Sequence, residues 1–156
     1  MASFSITRTA HTTAPVEAVL PLVQDFHQWV DWSPWEGLDP DLQRTYSGSP
    51  RGVGAKYAWS GNKKAGEGSM DMTRADERGA GIDLHFTKPF KADNHVEITV
   101  TPASSGGSDL SWTMTGEQTF VSKLFFTVFR MEKQLAKDFD KGLAQLSRVA
   151  ERSTEG

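Results

Sequence analysis

Residues 42–116 hold six consecutive stretches that read as β-strands, and a single proline-free run from Ser122 to about Glu151 follows them as one amphipathic helix. The stretches are Leu42 to Tyr46, Ala55 to Ser60, Gly66 to Ala75, Gly81 to Phe86, His95 to Thr101 and Leu110 to Gly116, joined by turn-forming links such as SGSPRG, DERGAG and TPASSGGSD. Residues 3 to 10, alternating as Phe4, Ile6, Arg8 and Ala10, add one more strand at the start. Seven strands at about 4.8 Å spacing span roughly 34 Å, whereas one helix with its side chains is about 10 to 12 Å across. One helix cannot cover such a sheet. The sheet must twist and curl around the helix, and the rest of its concave side is either filled by large side chains or left as a pocket.

Alternation within the strands identifies the concave face. Tyr57 and Trp59, Met70 and Met72, Ile82, Leu84 and Phe86, Val96, Ile98 and Val100, and Leu110, Trp112 and Met114 share one parity. The other parity reads Ser69, Asp71, Thr73, Asp83, His85, Glu97, Thr99, Ser111 and Thr113, which suits water. In the closing helix Val128, Met131, Leu135, Phe139, Leu143, Leu146 and Val149 recur at spacings of three and four, the period of one buried helical face. Between strands one and two, TTAPVEAVLPLVQDF predicts two short helices, near 15 to 20 and 22 to 28, because Pro21 lacks a backbone donor and is expected to break or kink a continuous helix. The expectation is an α+β fold over residues 1–156, a single domain with a seven-stranded curved antiparallel sheet wrapped around a long C-terminal helix.

Composition removes several function classes. With 20 acidic and 17 basic side chains and a net charge of -3, the chain has no basic stripe to neutralise phosphates, so nucleic acid is not an expected partner. No stretch approaches the roughly 20 apolar residues of a membrane span, and the N-terminus lacks a secretion pattern, so no integral membrane association and a cytoplasmic location are expected. The absence of Cys excludes disulfides, thiol nucleophiles and thiolate metal sites. His11, His27, His85 and His95 show no HxH or HExxH spacing, and no metal or cofactor is expected. The glycines of GVGA and GEG form no phosphate loop; they read as turns, or as places where a curled sheet needs no side chain.

Acid–base chemistry has few candidates. The concave row from Tyr57 to Met114 carries no carboxylate, His or Lys to act as acid or base, and His85, Asp71 and Asp83 would reach that side only if a bulge reversed the alternation. Asp31 and Glu36 beside the tryptophans, Arg44 in the second strand and Lys88 before Pro89 are the remaining catalytic candidates, each read more readily as a solvated surface charge. The methionines Met70, Met72, Met114 and Met131 suit either an adaptable ligand wall or plain core filling.

The chain resembles the SRPBCC superfamily, the helix-grip group that includes START lipid-transfer domains, the major birch pollen allergen and the polyketide cyclase/dehydrase-like proteins. The resemblance runs from the strand before APVEAVLPLVQDF through WVDWSPWEGLDP, GVGAKYAWSGNKKAGEGSM, LHFTKPFKADNHVEITV and DLSWTMTGE to the helix ending KGLAQLSRVAE. WSPWEGLDP and YAWSGNKKAGEG look most like the bacterial polyketide cyclase-like branch. It implies an internal cavity whose mouth borders the segment QDFHQWVDWSPWEG, where three of the five tryptophans stand three residues apart. Trp29 is expected to wedge the short helices against the sheet, and Trp32 and Trp35 to line the mouth.

The function expected is binding, transport or sequestration of a small hydrophobic or aromatic, lipid-like or polyketide-like molecule. Trp32, Trp35, Tyr57, Trp59, Met70, Met72, Leu84, Phe86, Trp112, Met114 and Phe129 are the expected ligand-binding residues, with the Tyr57 hydroxyl and the Trp59 and Trp112 indoles as polar contacts. The alternative is a metal-free lyase or isomerase of the cyclase/dehydrase type in the same cavity. A further alternative is a stress-response or protein-interaction module, with an exposed apolar patch around Trp32 and Trp35 and a partner the sequence does not name.

Overall fold

The computed structural model describes residues 3–35, 39–63, 65–88, 91–117 and 125–153, with side chains throughout except at 3, 4, 117 and 125–132. In chain order the elements are β1 (Ser3–Thr12), α1 (Val16–Val23), α2 (Phe26–Trp29), β2 (Gln43–Gly48), β3 (Ala55–Ser60), β4 (Glu67–Asp76), β5 (Gly79–Lys88), β6 (Ala92–Pro102), β7 (Ser108–Glu117) and α3 (Phe125–Ser153). The strands form one antiparallel sheet in the order β1-β7-β6-β5-β4-β3-β2. The chain thus winds as a meander from β2 to β7, and β1 closes onto β7. Every strand and the long helix stand where the hydrophobic alternation places them, to within a few residues at the ends.

The short helices differ from expectation. α1 runs through Pro21 as one helix, and the interruption comes after it, at Gln24 and Asp25. Pro21 and Glu17 are both exposed, so the Glu17 carbonyl that loses its usual helical donor stands on the wet side of α1, where water can serve it. The stop is built from side chains instead. Asp25 accepts from the backbone N–H of His27, capping α2, and Gln24 Nε2 donates to the carbonyls of Asp76 and Gly79 at 2.7 and 2.9 Å. Those two bonds pin the helix junction to the β4–β5 turn.

The concave face is covered unevenly. α3 lies along β1 and β7, α1 along β5 and β6, and α2 reaches β3. At the α3 side, Trp112 stacks on Phe139 with ring centroids 4.6 Å apart and planes 9° apart. Gly142 lets this happen, since a Cβ there would stand 2.9 Å from Trp112 Cζ3 and 2.9 Å from Pro34 Cδ. Ile82, Ile98, Val100, Leu110, Leu143 and Leu146 fill the same layer and are fully buried. Arg8 on β1 grips Asp140 on α3 through two hydrogen bonds of 2.8 Å. Near the other end of α3, Glu151 accepts from the backbone and hydroxyl of Thr13 and from Thr12, and these bonds, the backbone one foremost, hold its carboxyl below the ordinary value.

Register shifts in the β4–β5 pair fall between Glu67 and Gly68 and between Met72 and Arg74, and such bulges increase local twist. They do not reverse the face of Asp71, Asp83 or His85. Those residues stay on the convex side, where His85 meets Asp93 at 2.8 Å and His95 meets Asp83 at 2.9 Å and Glu97 at 2.7 Å. Arg74 joins Glu97 to Asp76 at 2.6 Å each. Both His95 nitrogens face carboxylate oxygens, a geometry that only the doubly protonated ring satisfies as donor. The bond to Glu97 accordingly raises the His95 pKa above its ordinary 6.5 despite partial burial. Burial alone would raise the Glu97 carboxyl, but the bonds from His95 and Arg74 outweigh it and lower it.

Candidate functional site

The part of the concave face that α1 and α3 leave uncovered, over β2 to β5, encloses a cavity of about 220 Å³. Its floor is Tyr46 on β2, Tyr57 and Trp59 on β3, Met70 on β4, and Leu84 and Phe86 on β5. Cross-strand register sets this floor: Tyr46 pairs with Tyr57, Tyr57 with Met70, and Met70 with Leu84, so one concave row runs across four strands. Phe26, Trp29, Val30 and Ser33 form the roof, recurring at helical spacing through α2 and the turn beyond it, with Trp35 and Leu135 of α3 closing the inner side.

Seven of these walls are aromatic, and six of them touch one another around the space, while Trp35 packs on Trp112 and Phe139. Phe26 lies 5.4 Å from Trp29 and 5.9 Å from Tyr57, Tyr57 is 5.3 Å from Tyr46 and 6.1 Å from Trp59, and Trp59 is 5.8 Å from Phe86 in an edge-to-face pair. Gly68 makes room for the Trp59 ring: a Cβ there would stand 2.6 Å from Trp59 Cη2. The GEG glycine is therefore a place where a side chain would collide with the wall of the cavity.

The indole donors of the walls are already bonded inside the protein. Trp29 Nε1 donates to the Val23 carbonyl at 2.9 Å, Trp59 Nε1 to the Ala65 carbonyl at 3.0 Å, and Trp35 Nε1 to Asp138 Oδ2 at 3.2 Å. Trp59 is thus not the polar contact expected of it. These bonds fix the rings with their flat faces and edges available to the cavity. Among the described lining residues one side chain carries a charge: Lys88, at the end of β5, 3.6 Å from Glu67.

Of the expected ligand-binding residues, Trp35, Tyr57, Trp59, Met70, Leu84 and Phe86 come together at this cavity. Trp32, Met72, Trp112 and Met114 do not. Met72, opposite Ile82, and Met114, between Ile6 and Val96, lie in the covered layer and are 2% exposed. Trp112 is sealed by Phe139, Trp32 and Trp35, and its Nε1 is buried without a partner, so it faces no ligand space there. Trp32 is 1% exposed and donates to the Leu22 carbonyl, wedging α1 in the way expected of Trp29, while Trp29 lines the cavity. The reason is local: turns continue beyond α2 to Trp32 and the Ser33 N–H bonds the Trp29 carbonyl, so Trp29 stays on the face of Phe26 and Ser33 and Trp32 turns inward. Phe129 and Met131 lie outside the described side chains, and Glu36 outside the described residues.

The catalytic candidates separate as well. Lys88 lines the cavity; Arg44 is exposed on β2 at the position paired with Trp59, on the concave parity but beyond the lining; Asp31 is exposed in the turn after α2. Phe26, Trp29, Val30, Ser33, Leu42, Tyr46 and Leu135 were not singled out for the site from sequence. The pairing of Tyr46 with Tyr57 and the 26, 29, 30, 33 spacing are the signals that mark most of them. Trp32 is buried and Trp35 is turned against Trp112, so these two rings form no exposed apolar patch. Among the described residues no cluster of His, Asp and Glu could hold a metal ion, and no helix is long and apolar enough to cross a membrane.

Comparison with known proteins agrees with this architecture. A search of curated proteins finds no match. Among solved structures, a protein of unknown function from Staphylococcus aureus superposes with a TM-score of 0.73 at 10% identity, over 99% of this chain and 98% of that one. A solution structure from Thermobifida fusca gives 0.70 at 22% identity, over 95% and 93%. The crystal structure of Ara h 8.0201 gives 0.63 at 13% identity, over 99% and 100%. The helix-grip resemblance read from WSPWEGLDP and YAWSGNKKAGEG is met, for the model of one family covers residues 3–151, and the chain belongs to that family, described as polyketide cyclase / dehydrase and lipid transport.

Proposed function

We propose that this protein binds a small, largely apolar, ring-bearing molecule in the cavity over β2 to β5 and keeps it from water, as a carrier or a store. One observation carries the proposal: seven aromatic side chains enclose the space, and their indole N–H groups are already bonded to the protein. A wall of that kind rewards apolar area and ring contact, at about 25 cal/mol per Å² buried plus about 0.5 to 1.5 kcal/mol for each well-placed aromatic pair. The cavity of about 220 Å³ is below the roughly 300 Å³ at which pockets for drug-sized ligands begin, which favours a compact guest or one that protrudes from the mouth. The family description, which includes lipid transport, is consistent with such cargo.

The same description includes cyclases and dehydrases. A reaction of that type would need a group that moves protons at the guest, and the described lining supplies for this Lys88, Ser33 and the phenols of Tyr46 and Tyr57. Nothing in their placement favours that second reading over binding alone.

Native mass spectrometry of protein purified without denaturation tests the proposal. The expected result is an adduct of a small apolar molecule, or one formed on adding such a molecule, that is lost when Met70→Trp fills the cavity. Failure of every ring-bearing apolar compound to bind the folded protein would overturn it.

A further inference from the structure

The lining is chemically one-sided. Inward from the mouth it is aromatic and aliphatic, while its one charged side chain among the described residues, Lys88, stands at the last described position of β5 with its side chain 75% exposed. The floor row from Tyr46 to Leu84 carries no charge. A guest bearing a charged group cannot place it on that floor without losing its water, and an ion stripped of water in an apolar site meets a large penalty. At the mouth the same group keeps part of its hydration and can meet a cation.

Resting on the binding role proposed above, we infer that the preferred guest is an amphiphile with an anionic end: ring or chain seated on the Tyr57–Trp59–Met70 floor, and a carboxylate or similar acid at the rim beside Lys88. The Lys88 ammonium already has a partner, Glu67 Oε2 at 3.6 Å, with that side chain 40% exposed. A pair so long and so wet is weak, and the ammonium has three donors, so an arriving acid competes with Glu67 or shares the cation with it. Glu67 then acts as a selectivity element, since its charge opposes the acid that Lys88 attracts. Lys88 orients the guest, and the apolar floor supplies most of the affinity.

A matched series tests this: 2-naphthoate, 2-naphthamide and 2-naphthylmethylamine, which at neutral pH carry negative, zero and positive charge on one ring system. Dissociation constants are measured by NMR titration on the wild type, Lys88→Met and Glu67→Gln. The acid is expected to bind about fivefold more tightly than the amide, as a solvent-exposed charge pair allows, with the amine weakest. In Lys88→Met, where the Glu67 charge remains, the acid-to-amide ratio should fall to one or below, and in Glu67→Gln it should widen. Raising salt until the Debye length drops to about 3 Å should shrink the acid's advantage in the wild type. Equal binding of acid and amide by the wild type, a ratio that survives Lys88→Met, or tightest binding of the amine would overturn the inference while leaving the cavity as a binding site. If none of the three binds, the binding role fails, and the inference falls with it.

Discussion

Trp112 of the sheet and Phe139 of the long helix stack face to face, 4.6 Å between centroids and 9° between planes, and this contact divides the concave side of the sheet into a packed half and an open half. On one side lie β1, β7, β6 and the Met72–Ile82 part of β4 and β5 under α3 and α1; on the other lie β2, β3 and the Met70–Leu84 part of β4 and β5 with the cavity. Trp35 stands at the division, edge-on to Trp112 at 5.6 Å and to Phe139 at 6.2 Å while facing the cavity.

The packed half depends on a missing side chain. Gly142→Ala adds a methyl 2.9 Å from both Trp112 Cζ3 and Pro34 Cδ, and neither group is at the end of a flexible chain. Ala gains up to about 1 kcal/mol over Gly in a helix, but overpacking of a dense core costs about 1 to 3 kcal/mol. At the middle of these ranges the overpacking term wins, giving a net loss of about 1 kcal/mol in urea unfolding. An unchanged or higher midpoint would mean that the stack is looser than described.

The open half depends on another. In Gly68→Ala the new Cβ would collide with Trp59 Cη2 and with the backbone of His85, so the indole must move toward the cavity. A ring-bearing apolar probe should bind at least tenfold more weakly, the effect of about 1.4 kcal/mol. Titration calorimetry checks this, and an undiminished affinity would show that Trp59 is not part of the binding wall.

Trp35 is tied to α3 through Asp138, whose other oxygen accepts from Gln134 at 3.0 Å. Asp138→Ala removes one hydrogen bond, about 1 kcal/mol, from a half-exposed ring. With the Gln134 bond lost as well, stability should fall by no more than about 2 kcal/mol, while a bound probe should dissociate roughly fivefold faster in stopped-flow measurements. Equal dissociation rates would remove Trp35 from the exit route.

On the convex face the sign of the pH dependence follows from His95. Its folded pKa is raised, mainly by Glu97, so the folded state holds the proton more tightly than the unfolded chain does. The stability from that protonation is fully present below the unfolded value near 6.5 and is lost as pH rises through the higher folded value. The gap in urea midpoint between wild type and His95→Gln should therefore close across that interval. A gap constant from acid to alkaline pH would contradict the hydrogen-bond assignment. Glu97, lowered, contributes in the opposite sense, its share being present above the unfolded value of 4.5 and lost as pH falls through the lower folded value.

How much of this was legible in the chain follows from the physics of each feature. Period-two alternation reports burial of one sheet face, so the concave parity from Tyr57 to Met114 could be read directly. Which part of that face is open could not, because it depends on where α1 and α3 come to rest, and for this reason Met72, Trp112 and Met114 resemble Met70 and Trp59 in sequence yet end in the covered layer. Trp29 and Trp32 exchanged their expected places because turns continue beyond α2 to Trp32 and the Ser33 N–H, immediately before Pro34, bonds the Trp29 carbonyl. Pro21 stayed inside α1 because the Glu17 carbonyl it leaves without a donor is on the wet side of the helix, and the junction is held by Asp25 and Gln24. Lys88 was visible only as one charge among many until β5 placed it at the rim.

The central claim, that the cavity over β2 to β5 is the place where a guest sits, is tested most directly by following the indole N–H signals of the five tryptophans during titration with 2-naphthamide. Trp29, Trp35 and Trp59 should shift first and furthest, with Trp32 and Trp112 responding weakly behind them. Indole signals that all stay still, or shifts at Trp112 and Trp32 with none at Trp59, would contradict it.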